Sequence, residues 1–134
     1  GHPAHREIAT GYGPCRLCLR TFEIGKDERI LFTLDTFYGV ENLPLPGPVF
    51  IHAEECPRYD EEAGFPDDLR AHPLTLSGYA RGRRLVSQVY VTDGEVEDEL
   101  ARVFSQPGVD YVHVRDTNAG CYDLRVERRI VRDI

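Results

Sequence analysis

Lysine is almost missing from this sequence: Lys26 is the single lysine among 16 basic residues, which face 23 acidic ones. The formal net charge is −7 at pH 7. That balance argues against a general nucleic-acid-binding surface, because phosphate contacts draw on a basic face. No apolar run reaches the roughly 18 residues that a membrane-crossing helix needs, so no membrane association is expected. The opening residues lack the pattern of an export signal, and a cytoplasmic location is expected. There is no internal repeat and no low-complexity tract. No Gly-rich phosphate loop, G-x-S-x-G or H-E-x-x-H pattern occurs. Those absences remove several enzyme classes without naming one.

What is present suits one compact domain. The chain has 134 residues, of which 41% are hydrophobic. A domain of that size buries about two-thirds of the surface its unfolded chain exposes, enough for a core. Residues 1–12 are polar and aperiodic. They read as a flexible arm or, with Gly1-His2, a cloning remnant. Residues 13–134 read as a single α+β domain with a mainly antiparallel sheet.

The local patterns place the elements. Thr21 to Ile24, the turn Gly25-Lys26-Asp27 and Arg29 to Phe37 read as a hairpin. Gly39 to Pro48 holds three prolines and reads as a loop. Val49 to His52 is a short apolar strand. Ala53 to Asp60 reads as a helical turn, and Asp67 to Ala71 as another. Leu74 to Tyr79 and Leu85 to Thr92 are strands. Asp93 to Ser105 is the clearest helix: Val96, Leu100, Val103 and Phe104 share one face, and Thr92 with Glu95 fits a capping box. Val109 to Arg115 and Cys121 to Val131 alternate as two further strands around the turn Asp116 to Gly120.

Charge is unevenly placed. Between Glu54 and Asp68 there are seven acids and one base, Arg58. A solvated acidic loop is the ordinary reading of such a run. Placed just after Cys56, it would also hold nucleic acid away.

Four cysteines in a short chain without an export signal favour metal ligation over disulfides. Cys15-x2-Cys18 can aim two sulfurs at one ion from a tight turn. After 33 intervening residues, His52-x3-Cys56 can complete a tetrahedron. Cys3His is a ligand set that Zn²⁺ favours in closed structural sites. The order of knuckle, hairpin and then a helix bearing the last ligand gives a treble-clef-like N-terminal region. A redox C-x-x-C is disfavoured, because no thioredoxin-like strand precedes Cys15. A disulfide between two of the four cysteines is the rival reading, and Cys121 could replace His52 or Cys56 as fourth ligand.

A second constellation sits on the last hairpin. If its five-residue turn closes symmetrically, Arg115 faces Cys121 and His113 faces Asp123, all on one side of the sheet. Cys121 could then act as a nucleophile, His113 as its base and Asp123 as the orienting carboxylate, with Arg115 holding an anionic substrate. The plainer alternative is a packed thiol and a cross-strand His–Asp pair.

Three segments, Gly13-Pro14-Cys15-Arg16-Leu17-Cys18-Leu19-Arg20, Gly47 to Cys56, and Tyr111-Val112-His113-Val114-Arg115 with Gly120-Cys121, together resemble a bacterial family known as domain of unknown function 1203. The resemblance runs from about Gly11 to Arg128. It implies a small single-domain cytosolic protein and no particular activity. The functional expectation is a zinc-stabilised domain that binds a small anionic ligand or a protein partner. The alternative is an enzyme, either cysteine-dependent through Cys121 or built on a catalytic zinc.

Overall fold

A computed structural model describes residues 4–39 and 46–128. Among them, seven strands form two antiparallel sheets. The first has the order β1-β2-β3, from β1 (His5–Ile8), β2 (Glu28–Asp35) and β3 (Pro46–His52). The second has the order β5-β4-β6-β7, from β4 (Leu74–Tyr79), β5 (Leu85–Val91), β6 (Tyr111–Asp116) and β7 (Tyr122–Glu127). A short helix α1 (Asp67–Arg70) precedes β4, and α2 (Val96–Ser105) lies between β5 and β6. The α+β class with antiparallel sheets and one main helix is as the sequence implies.

The larger core follows from alternation. Leu74 and Leu76 of β4 and Val112 and Val114 of β6 point to one face of the second sheet. There they meet Val96 and Val103 of α2 in one buried cluster with Leu69 and Val109. Burying such side chains contributes roughly 1.5–3 kcal/mol each. The opposite face carries Thr75, Ser77 and Tyr79 with Tyr111, His113 and Arg115, and Ser77 pairs with His113. Both central strands are therefore buried on both sides. The smaller core, under the first sheet, gathers Ala9, Cys15, Cys18 and Phe22, with Phe50, Ile51 and Cys56 packed against them.

Several elements differ from the sequence reading. Part of the expected arm is β1, paired with β2 from His5↔Leu31 to Ile8↔Glu28. Its pairing is fixed by charge: Arg6 donates to Glu28, and Arg29 donates to Glu7 at 2.7 and 2.9 Å. Apolar alternation gives no signal for such a strand. Thr21 to Ile24 forms no strand, because Phe22 N–H donates to the Tyr12 carbonyl and Glu23 N–H to Asp27. Hence β2 pairs with β1 and β3 instead of closing the expected hairpin. Strand β3 starts at Pro46, inside the segment read as a loop; residues 40–45 of that loop lie outside the described residues.

The helical turn over Ala53 to Asp60 is not formed. Pro57 lacks an N–H and pushes Cys56 away from helical dihedrals. The nearest helical piece is a 3-10 turn, Glu61–Ala63, capped by the Asp60 carboxylate on Glu62 N–H. The Thr92–Glu95 capping box is also absent: α2 starts after Glu95 with no side-chain cap, and Asp93 accepts from Glu95 N–H at 3.0 Å.

The sheet packs closely on α2 at Gly78. A Cβ there would lie 2.8 Å from Val103 Cγ1 and 3.3 Å from Val109 Cγ1. Gly78→Ala is therefore expected to destabilise the fold by about 1–3 kcal/mol through overpacking, read as a lower urea midpoint at unchanged slope.

Candidate metal centre

Two separate pieces of chain bring their ligand atoms to one point. The first is the turn Cys15 to Cys18. Leu19 N–H donates to the Cys15 carbonyl at 2.8 Å, and Cys15 N–H to the Arg20 carbonyl at 3.0 Å. Leu19 takes φ = 60° to close this turn, a conformation that L-residues other than Asn and Asp seldom adopt. The turn docks on β3 through Arg16 N–H and the Phe50 carbonyl, 3.0 Å apart. The second piece is the end of β3, where His52 pairs with Arg29, and the irregular segment that carries Cys56. Tyr59 N–H donates to the Leu17 carbonyl at 2.9 Å and holds that segment against the turn.

The ligand atoms of Cys15, Cys18, His52 and Cys56 all lie within 4.8 Å of one another. Cys15 Sγ is 4.0 Å from Cys56 Sγ, and Cys18 Sγ is 3.4 Å from His52 Nδ1. Four ligands on a tetrahedron with metal–sulfur bonds of about 2.3 Å have sulfur–sulfur edges of about 3.8 Å, so the spacing suits one small ion. His52 main-chain N–H points at Cys15 Sγ, 3.3 Å away. His52 Nε2 sits 3.6 Å from the Asp27 carboxylate, and the Phe22 ring packs on the imidazole at 4.8 Å. A carboxylate behind the distal imidazole nitrogen is the usual outer support of a metal-bound histidine. Asp27 reads in the sequence only as a turn residue, and no spacing rule marks it.

Burial, with Cys15 and Cys18 adjacent, pushes the Cys56 thiol up to about 12, and burial raises Cys18 as well. Three sulfurs at this spacing cannot all ionise on their own; a divalent cation reverses that preference. The four cysteines are unpaired, with no disulfide among them. Cys121 lies outside the cluster, exposed, its Sγ 3.8 Å from the Ala119 carbonyl.

The last hairpin has a different register from the symmetric one. The turn closes with Asp116 N–H on the Cys121 carbonyl, and a bulge between Val114 and Arg115 shifts the pairing, so His113 faces Arg125 and Arg115 faces Tyr122. His113 is fully buried among Phe37, Tyr79, Tyr111 and Tyr122, with ring centroids 4.7 to 5.4 Å away. Neither of its ring nitrogens has a hydrogen-bond partner. Arg115 donates to the Tyr79 hydroxyl at 3.1 Å. Asp123 turns instead to Arg16, whose guanidinium is 3.8 Å away. The structure thus brings neither Cys121 nor Asp123 into hydrogen-bond contact with His113.

Two antiparallel sheets, one main helix and a Cys3His cluster that could hold a metal ion define a small α+β protein with a candidate metal centre. No helix among the described residues is long and apolar enough to cross a membrane. The chain belongs to the family described as a protein of unknown function, DUF1203, which matches residues 12–128 and bears out the resemblance. No curated protein and no solved structure matches the chain.

Burial and the nearby Arg115 and Arg125 push His113 down from 6.5 to about 4, so it is neutral in the folded protein. Burial pushes Asp123 up to about 7 against the pull of Arg16. Between pH 6.5 and 4 the unfolded chain protonates His113 and the folded chain does not, so this residue lowers stability as the pH falls. His113→Phe keeps the aromatic packing and removes the titration. Its stability relative to the parent is expected to rise by about 3 kcal/mol from pH 7 to 4. Urea unfolding across that range checks it, and the opposite titration of Asp123 is common to both proteins and cancels.

Proposed function

We propose that this protein is a zinc-stabilised recognition module, in which one ion held by Cys15, Cys18, His52 and Cys56 fixes the N-terminal lobe. The convergence of four donors from two segments carries this reading. Zinc is favoured by the donor set and by the tetrahedral spacing. When bound it would supply folding free energy, since its site does not exist in the unfolded chain. Four protein donors fill a tetrahedron and leave no open position, which favours a structural ion over a catalytic one. A reducing cytoplasmic setting, where thiols stay available, accompanies the reading. The separation of Cys121 from His113 supports binding, of a protein partner or a small anion, over cysteine-dependent chemistry.

Elemental analysis of protein purified without chelator is expected to give about one equivalent of zinc, and less than about a tenth would overturn the reading. Cys15→Ser should lose the metal and several kcal/mol of stability. Cys121→Ser should keep both.

A further inference from the structure

The four residues of the candidate metal centre divide into two pairs. Cys18 Sγ lies 3.4 Å from His52 Nδ1, and Cys15 Sγ lies 4.0 Å from Cys56 Sγ. The second pair is sulfur alone, so it can give up electrons and join. His52 main-chain N–H points at Cys15 Sγ from 3.3 Å and favours negative charge on that sulfur.

The sulfurs differ in access. Cys15 and Cys18 are buried, whereas Cys56 is half-buried between the exposed Glu55 and Pro57. Cys56 is therefore the sulfur of the centre that a small solute meets first. Its segment also has room to move. Ala53 N–H is held by the Glu28 carbonyl and Tyr59 N–H by the Leu17 carbonyl, each at 2.9 Å. Between those two points, among the described residues, no main-chain hydrogen bond fixes Glu54 to Arg58. A disulfide needs its sulfurs about 2.05 Å apart, so the pair has to close by about 2 Å, and the unheld stretch around Cys56 allows it.

We propose that the centre is a redox switch: hydrogen peroxide oxidises Cys56, Cys15 closes on it as a disulfide, and the metal ion leaves. The Cys56 sulfur attacks one peroxide oxygen, the O–O bond breaks, and the other oxygen takes a proton and leaves as water. Cys56 then carries a sulfenic acid. The Cys15 sulfur attacks the Cys56 sulfur; the S–S bond forms, the S–O bond breaks, and a second water leaves with a second proton. In sum, two thiolates, one peroxide and two protons give one disulfide and two waters, with two electrons passing from sulfur to oxygen. Only Cys18 and His52 then remain as protein donors, half of a tetrahedral set.

The new bond joins the cysteine turn to the segment after β3, the same two pieces of chain that the ion would join. A Cys15–Cys18 bond would leave the second piece loose. One cross-link replaces another, and the lobe keeps its fold. Transient disulfides of this kind are the usual ones in a reducing compartment. The proposal rests on the metal reading and says how that site is regulated.

The test uses the full chain, zinc-loaded, with Cys121→Ser to remove the exposed thiol outside the cluster. Hydrogen peroxide is added, freed zinc is followed with a chelating dye, and disulfides are mapped by proteolysis and mass spectrometry. About one equivalent of zinc is expected to leave for each Cys15–Cys56 disulfide formed, and a reductant should restore binding. Cys56→His keeps four donors but has no thiol at the accessible position, so its zinc should leave at least about tenfold more slowly. By circular dichroism, the oxidised protein should unfold at a higher urea concentration than reduced protein stripped with a chelator. A Cys15–Cys18 disulfide, release that is no slower from Cys56→His, or an oxidised protein no more resistant to urea than the stripped one would overturn the proposal. A chain without zinc before peroxide is added overturns the metal reading and this proposal with it. A chain that holds zinc but forms no Cys15–Cys56 disulfide overturns this proposal alone.

Discussion

The N-terminal lobe is short of apolar mass, and the rest of the structure has to accommodate that. Its main cluster is Ala9, Cys15, Cys18 and Phe22, so half of that cluster consists of candidate ligands. Three strands on so small a core are marginal in water. The convergence of Cys15, Cys18, His52 and Cys56 offers what apolar packing cannot: a cation held there would join the turn to the end of β3 across 33 residues of intervening chain. Protonated thiols at the same spacing would pack as small hydrophobes. They would leave His52 Nδ1 with a sulfur as its neighbour, a weak partner.

The second lobe is built on the opposite principle. Its core is apolar and continuous, from Leu69 to Val114, and needs no staple. Its peculiarity is on the other face, where His113, Arg115 Nε and Asp123 Oδ1 are buried without hydrogen bonds. Each such group costs about 1–3 kcal/mol. The aromatic walls offset part of that cost by packing. Arg16 connects the two lobes: it lies between the two cysteines of the turn, donates to the Pro14 and Tyr122 carbonyls and stands beside Asp123.

How much of this was legible depends on which force fixed each element. Strands β4 and β6 and helix α2 follow apolar periodicity, and their positions were readable within a few residues. The candidate cluster was readable because two cysteines three apart, followed by a histidine and a cysteine four apart, form a metal-ligand spacing. Strand β1 was not, because Arg6, Glu7, Glu28 and Arg29 fix it by cross-strand charge, which leaves no period. The segment after His52 was misread because its acids suggested a helix start while Pro57 forbade one. The hairpin register failed at a bulge between Val114 and Arg115, and a bulge leaves no mark in an alternating sequence. The turn itself closes one residue away from the symmetric register, with Arg115 opposite Tyr122, and the bulge adds a second, so His113 faces Arg125 and not Asp123.

Arg16 ties the candidate metal centre to the second sheet. Its main-chain position is set by the cysteine turn, and its side chain donates to the Tyr122 carbonyl and stands 3.8 Å from the buried Asp123 carboxylate. An ion that fixed the turn would therefore also fix the one cation beside Asp123 among the described residues. Linkage makes such a coupling reciprocal: anything that binds better to the ion-held arrangement must tighten the ion by the same factor that the ion tightens it.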